Sequence, residues 1–106
     1  MHFLRQHINS IKKLCKENNV HTLFAFGSVV TDQFSDNSDV DFVVDIQDQD
    51  PISYADKYFN LKFQLEKLLN RSVDLLESKS IKNKYLKSEI ERTKILIYGK
   101  RSPKLA

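Results

Sequence analysis

Phe24-Ala25-Phe26-Gly27-Ser28, followed after ten residues by Asp39-Val40-Asp41-Phe42-Val43-Val44, is the stretch on which the reading of this chain turns. A small-residue break ends one apolar run, and two carboxylates one residue apart open the next. In an extended strand the side chains alternate between faces, so Asp39 and Asp41 share one face while Val40, Phe42, Val44 and Ile46 share the other. The strand has an acidic face and a dry face. Two neighbouring like charges repel unless a cation lies between them, and a divalent ion is the usual answer.

Working outward, Val20 to Phe26 reads as the first strand, rich in β-branched and aromatic residues. Ser28 is placed to cap a short helix reaching about Phe34, and Ser35-Asp36-Asn37-Ser38 is a turn cluster before the second strand, which ends at Ile46. Upstream, Leu4, Ile8, Ile11 and Leu14/Cys15 recur at helical spacing and predict one helix over 3–19. Downstream, Tyr54, Tyr58, Leu61, Leu65 and Leu68 predict a long helix over 53–70. Ser72 to Leu76 reads as a third strand, 80–92 as a helix carrying Ile81, Tyr85, Leu86 and Ile90, and 93–98 as a last strand that Gly99 ends. The tail from Lys100 to Ala106 reads as short, basic and loose. The expected fold is α/β (α+β): a small mixed sheet of about four strands with helices covering one face, in a single domain over 1–106.

Composition narrows the function classes. The chain has 106 residues, 41% hydrophobic and 29% charged, as in an ordinary globular protein. Cys15 is the only cysteine, which excludes an internal disulfide and a cysteine-based metal site and suits a cytoplasmic setting. No apolar run approaches the ~20 residues of a membrane helix, and no signal peptide is read at the N-terminus. The net charge of +3 is lopsided: eight aspartates and no Lys or Arg lie between Asn18 and Asp56, whereas nine Lys or Arg face only Glu89 and Glu91 from Lys79 onward. Most of these charges read as solvated surface. The basic third contains no recognisable nucleic-acid module, so direct nucleic-acid binding is not expected. His2, His7 and His21 lie outside any nucleophile pattern, and Cys15 sits at a core spacing. Tyr58, Phe59 and Phe63 read as core first and as a docking face second.

A magnesium ion prefers six oxygens, so two carboxylates need help. In Val73-Asp74-Leu75-Leu76 the apolar residues take the dry face and leave Asp74 on the same side as Asp39 and Asp41. Adjacent strands lie about 5 Å apart, so three carboxylates could converge around two cations of the kind that clamp in-line displacement at phosphorus. Gly27 permits close backbone approach, and Gly27-Ser28 could rest the β- and γ-phosphates of a nucleoside triphosphate. An Asp-x-Asp alone is expected about once by chance in a chain with nine aspartates. The joint pattern is far more specific.

Gly27-Ser28, ten residues, Asp39-Val40-Asp41 and the later Val73-Asp74-Leu75-Leu76 resemble the nucleotidyltransferase superfamily related to DNA polymerase beta. More narrowly, the chain is similar to the minimal nucleotidyltransferases (MNT) that act as antitoxins to HEPN-domain toxins, a likeness that runs through Glu89-Ile90-Glu91-Arg92 to Ile97-Tyr98. The resemblance implies that Asp39, Asp41 and Asp74 are catalytic and hold two Mg2+ ions, with Mn2+ as the alternative, and that Gly27 and Ser28 bind the triphosphate. It implies ATP as the nucleotide and a tyrosine hydroxyl of a HEPN-type toxin as the acceptor, in a homo- or hetero-oligomer. Where the family continues Gly-Ser-x-Ala-Arg-Gly, this chain has Thr31 and Asp32 in place of the arginine and glycine. That departure favours a second reading, an antitoxin that neutralises its partner by binding alone; a third is the catalytic subunit of a transferase for a small molecule or nucleic acid, with the acceptor-binding domain on a separate chain.

Overall fold

The β-branched and aromatic runs form the centre of a four-stranded sheet in the computed structural model, which describes residues 1–99. The strands are β1 (Val20–Phe26), β2 (Val40–Ile46), β3 (Val73–Glu77) and β4 (Ile95–Tyr98), in the order β3-β2-β1-β4. β1 runs antiparallel to β2 and β4, whereas β2 and β3 are parallel. A parallel pair needs a crossover, and the helix α3 (Pro51–Leu69) supplies it.

The alternation in β2 sorts its two faces as expected. Val40, Phe42, Val44 and Ile46 are buried against α2 (Ile8–Glu17) and α3, together with Leu23 and Ala25 of β1 and Val73 and Leu75 of β3. Cys15 is fully buried in this core, and burial pushes its thiol up to about 12, so it is packing rather than a nucleophile. Asn18, the one buried polar side chain among the described residues, donates to the Leu14 carbonyl (2.8 Å) and accepts from Asn60 Nδ2 (3.0 Å), tying the end of α2 to α3. On the opposite face, α4 (Lys84–Thr93) adds a smaller cluster of Phe26, Val43 and Ile90, edged by Leu76 and Ile81. The acidic face is therefore partly roofed. Among the described residues no helix is long and apolar enough to cross a membrane.

Several expected boundaries move, each for a physical reason. The helix expected over 3–19 is two helices, α1 (His2–Arg5) and α2, broken at Gln6-His7. The break lets Leu4 enter the core while Phe3 turns toward Phe34 and Arg71. The helix expected from Ser28 to Phe34 is one 3-10 turn, Gly27–Val30, and Ser28 lies inside it rather than capping it. α3 starts two residues early, because Asp50 caps it by accepting from the Ile52 amide and Pro51 fills the first turn. Asp50→Ala should therefore lower stability by about 1 kcal/mol in a urea titration, with no change in secondary structure at low denaturant.

The helix expected over 80–92 begins only at Lys84, where Asn83 accepts from the Tyr85 and Leu86 amides; Ser78–Ser80 is a separate 3-10 turn. The core reading fails for two aromatics. Phe59 and Phe63 are 51% and 59% exposed and stack on each other on the outer side of α3. Tyr58 is half-buried, and its hydroxyl donates to the Leu75 carbonyl. The residues of the basic tail, 100–106, lie outside the described residues.

Candidate active site

β2 and β3 are paired so that Asp41 stands directly opposite Asp74. The same row continues across β2 to Phe26 of β1, the residue just before Gly27. Three separately read features, the Gly-Ser break, the second aspartate of the pair and the lone aspartate of the third strand, thus meet in one transverse row. Asp39 lies one residue before β2, exposed, where the chain enters the strand. Its neighbour Val40 is anchored to β3 by an amide that donates to the Ser72 carbonyl (3.0 Å). Asp41 is half-buried, and Asp74 is exposed.

Burial, then the charges of Asp74 and Asp39, push the Asp41 carboxyl up to about 6 from 3.8. Gly27 has φ +75°, and a Cβ built there would lie 2.5 Å from Asp41 Oδ2. Only glycine allows the turn to pack its backbone against this carboxylate. The Ser28 hydroxyl has no hydrogen-bond partner among the described residues, while the Ser28 carbonyl accepts from both the Thr31 amide (3.0 Å) and Thr31 Oγ1 (2.9 Å). Thr31 also receives the Gln33 amide. Thr31 thus closes the turn and carries no charge; Asp32 beside it is exposed.

Among the described residues no three acidic, imidazole or thiol side chains already converge tightly enough to enclose a cation. The donor chemistry nonetheless fits a hard divalent ion. Asp39, Asp41 and Asp74 offer carboxylate oxygen alone, and the repulsion that raises Asp41 is relieved by a positive charge among them.

Two other aspartates are occupied elsewhere. Asp48 accepts from Ser53 Oγ, Lys57 Nζ and the Asp50 amide, which hold its carboxyl down at about 2, and Asp50 caps α3. One feature of the acidic face escaped the sequence pattern. A cavity of about 90 Å³ lies between the sheet and α4, lined by Phe24, Val43, Ser78, Ile81, Ile90 and Lys94 among others. Lys94 Nζ stands 4.3 Å from the Phe24 ring centroid. The helical spacing of Ile90 was the available signal, but it does not say to which face of the sheet the helix docks.

Comparison with known proteins joins these observations. Residues 9–103 match the family Polymerase beta, Nucleotidyltransferase. The chain belongs to this family. A Methanocaldococcus jannaschii protein named as a protein adenylyltransferase is 35% identical to this nucleotidyltransferase over 95 residues, covering 89% of this chain and 90% of the relative. A solved structure named as a minimal nucleotidyltransferase superposes with a TM-score of 0.71 at 25% identity, covering 87% of this chain and 90% of that one. A crystal structure of a toxin–antitoxin with AMP-PNP gives a TM-score of 0.70 at 26% identity, covering 89% of this chain and 74% of that one. The nucleotidyltransferase fold is thereby established, with Asp41 flanked by Gly27 at the end of β1 and by Asp74 on β3.

Proposed function

We propose that this nucleotidyltransferase moves AMP from ATP onto a hydroxyl of a separate protein, a tyrosine of a HEPN-type toxin, and so serves as its antitoxin. The observation that carries the reading is the direct pairing of Asp41 with Asp74, with Gly27 packed on the Asp41 carboxylate. Support for a protein acceptor and an adenine nucleotide comes from the relative named as a protein adenylyltransferase and from the toxin–antitoxin neighbour with AMP-PNP.

In this reading Gly27 lets the triphosphate approach the backbone of the turn, and the Ser28 hydroxyl donates to a phosphate oxygen. Asp39, Asp41 and Asp74 would hold Mg2+ or Mn2+, which when bound offsets phosphate charge and lowers the pKa of the acceptor hydroxyl. Asp41, packed against Gly27, would orient the nucleotide together with Asp39. Asp74 is exposed on the edge strand β3, where a separate chain can present its hydroxyl, and its carboxylate would take the leaving proton. The hydroxyl oxygen bonds to the α-phosphorus as the bond to the β-phosphate oxygen breaks, and pyrophosphate leaves from the Gly27-Ser28 side.

The exposed Asp32 and the uncharged Thr31 favour a second reading, in which the chain neutralises its partner by binding without transfer. One measurement separates the two. The chain is incubated with its toxin partner, Mg2+ and each nucleoside triphosphate in turn, and the intact mass of the partner is recorded. An AMP increment only with ATP is expected. No increment with any nucleotide would overturn transfer and leave occlusion.

A further inference from the structure

Asp39 is the least constrained of the three carboxylate residues, since it is exposed and outside the strand ladder. The turn that leads into it is held by a residue just beyond the end of α3. Arg71 follows Asn70, which ends α3 in the left-handed conformation, and the Arg71 amide reaches back to the Glu66 carbonyl (3.3 Å). Its side chain is 15% exposed and packs over both the Phe3 and Phe34 rings, which touch each other, with Cζ 4.7 and 4.4 Å from their centroids. The guanidinium Nη1 donates to the Ser35 carbonyl (2.6 Å) and to the Ser38 carbonyl (3.2 Å). Ser38 is the residue before Asp39, and Arg71 is three residues before Asp74.

From this geometry we infer that Arg71 is a positioning residue for the carboxylate site, locking the entry of Asp39 to the strand that carries Asp74. The inference rests on the carboxylate-site reading above. The turn it clamps is also closed from within, because the Ser38 amide donates to the Ser35 carbonyl and the Ser35 amide donates to Ser38 Oγ. Arg71 therefore holds a preformed unit rather than a loose loop. One nitrogen, Nη1, donates to both carbonyls while the planar guanidinium lies over two aromatic rings, and it is this stacking that an ammonium cannot match. Asp36 contributes little, since its carboxylate is fully exposed at 3.6 Å.

The test is Mn2+ binding to the full chain, followed by the EPR signal of free Mn2+, in wild type, Arg71→Lys, Phe34→Leu, Asp36→Asn and Asp41→Asn. Groups that orient metal ligands typically contribute about 10–100-fold in affinity. Arg71→Lys should weaken Mn2+ at least about tenfold with the far-UV spectrum unchanged. Phe34→Leu should show a smaller loss, and Asp36→Asn should bind as wild type. Wild-type affinity in Arg71→Lys, alongside lost binding in Asp41→Asn, overturns the role of Arg71 and leaves the carboxylate site intact. Unchanged binding in Asp41→Asn overturns both. Should Arg71→Lys fail to fold, Phe34→Leu decides, and wild-type affinity there counts against the inference.

Discussion

Asp41→Asn should abolish nucleotidyl transfer and at the same time make the metal-free protein more stable at pH 7.5. The two effects share one cause. Asp41 is paired with Asp74, follows Asp39 by two residues and packs on Gly27, so its negative charge is held where burial and like charges oppose it. Asparagine keeps the shape and removes the charge, together with one oxygen able to bind a cation. The transfer rate should fall at least about 10³-fold, or about 4 kcal/mol of barrier at 1.36 kcal/mol per decade.

The stability effect has a definite sign and window. The folded-state pKa is raised from 3.8 to about 6, so the native state binds the proton more tightly than the unfolded chain. The penalty of ionisation is fully present above about 6 and is relieved as pH falls toward 3.8. The full shift corresponds to a ceiling of about 3 kcal/mol, and solvent screening of this half-exposed group reduces the expected gain to about 1–2 kcal/mol. Thermal melts in EDTA should show wild type gaining stability from pH 7.5 to pH 5 and the asparagine variant lacking that gain. Asp48, held down at about 2, titrates below this window and does not obscure it. Added Mg2+ should raise the wild-type melting temperature at pH 7.5 and leave the variant unmoved, because only an ion that binds the native state stabilises it. An identical pH profile in the two proteins would refute the assignment of the penalty to Asp41.

Local chemistry made the central strands legible. Val20 to Phe26 and Val40 to Ile46 are β-branched or apolar runs closed by Gly27 and by a polar loop, and the phase of Val40, Phe42 and Val44 puts Asp41 on the opposite face whatever the rest does. The third aspartate followed from the same alternation in β3, and the parallel register then brought it level with Asp41. What local pattern could not show was contact between distant segments. The Leu4-to-Ile8 spacing suits one helix or two, and the broken form is the one in which Phe3 meets Phe34 and Arg71. Ile90 has helical spacing in either docking mode, and its packing on Phe26 and Val43 decides which face α4 covers. Asn83 is a cap signal present in the sequence, but the apolar spacing that includes Ile81 draws the expected helix back to residue 80. Phe59 and Phe63 misled because aromatic residues on a sheet-packing helix are usually inward, whereas the inward positions here are taken by Leu61 and Leu65.

Gly27→Ala should reduce transfer about 10²-fold while leaving most of the fold's stability in place. At φ +75° an alanine is strained, which costs about 1 kcal/mol. Its Cβ meets Asp41 Oδ2 at 2.5 Å, inside any normal contact. The obstructing atom is the end of a side chain and can swing aside, so the conflict is relieved by moving the carboxylate rather than by unfolding. A displacement of about 1 Å at a reacting centre is worth about 10²-fold in rate. Gly99→Ala is the informative contrast. Its φ is +97° and its Cβ would meet the His21 carbonyl oxygen at 2.2 Å, which is backbone and cannot step away. Gly99→Ala should lower the melting temperature more than Gly27→Ala, yet leave the transfer rate per folded molecule near wild type. Rate and melting temperature measured on both variants therefore give opposite rankings if Gly27 serves the site and Gly99 serves the fold. The same ranking on both scales would mean that Gly27, too, is only a structural turn.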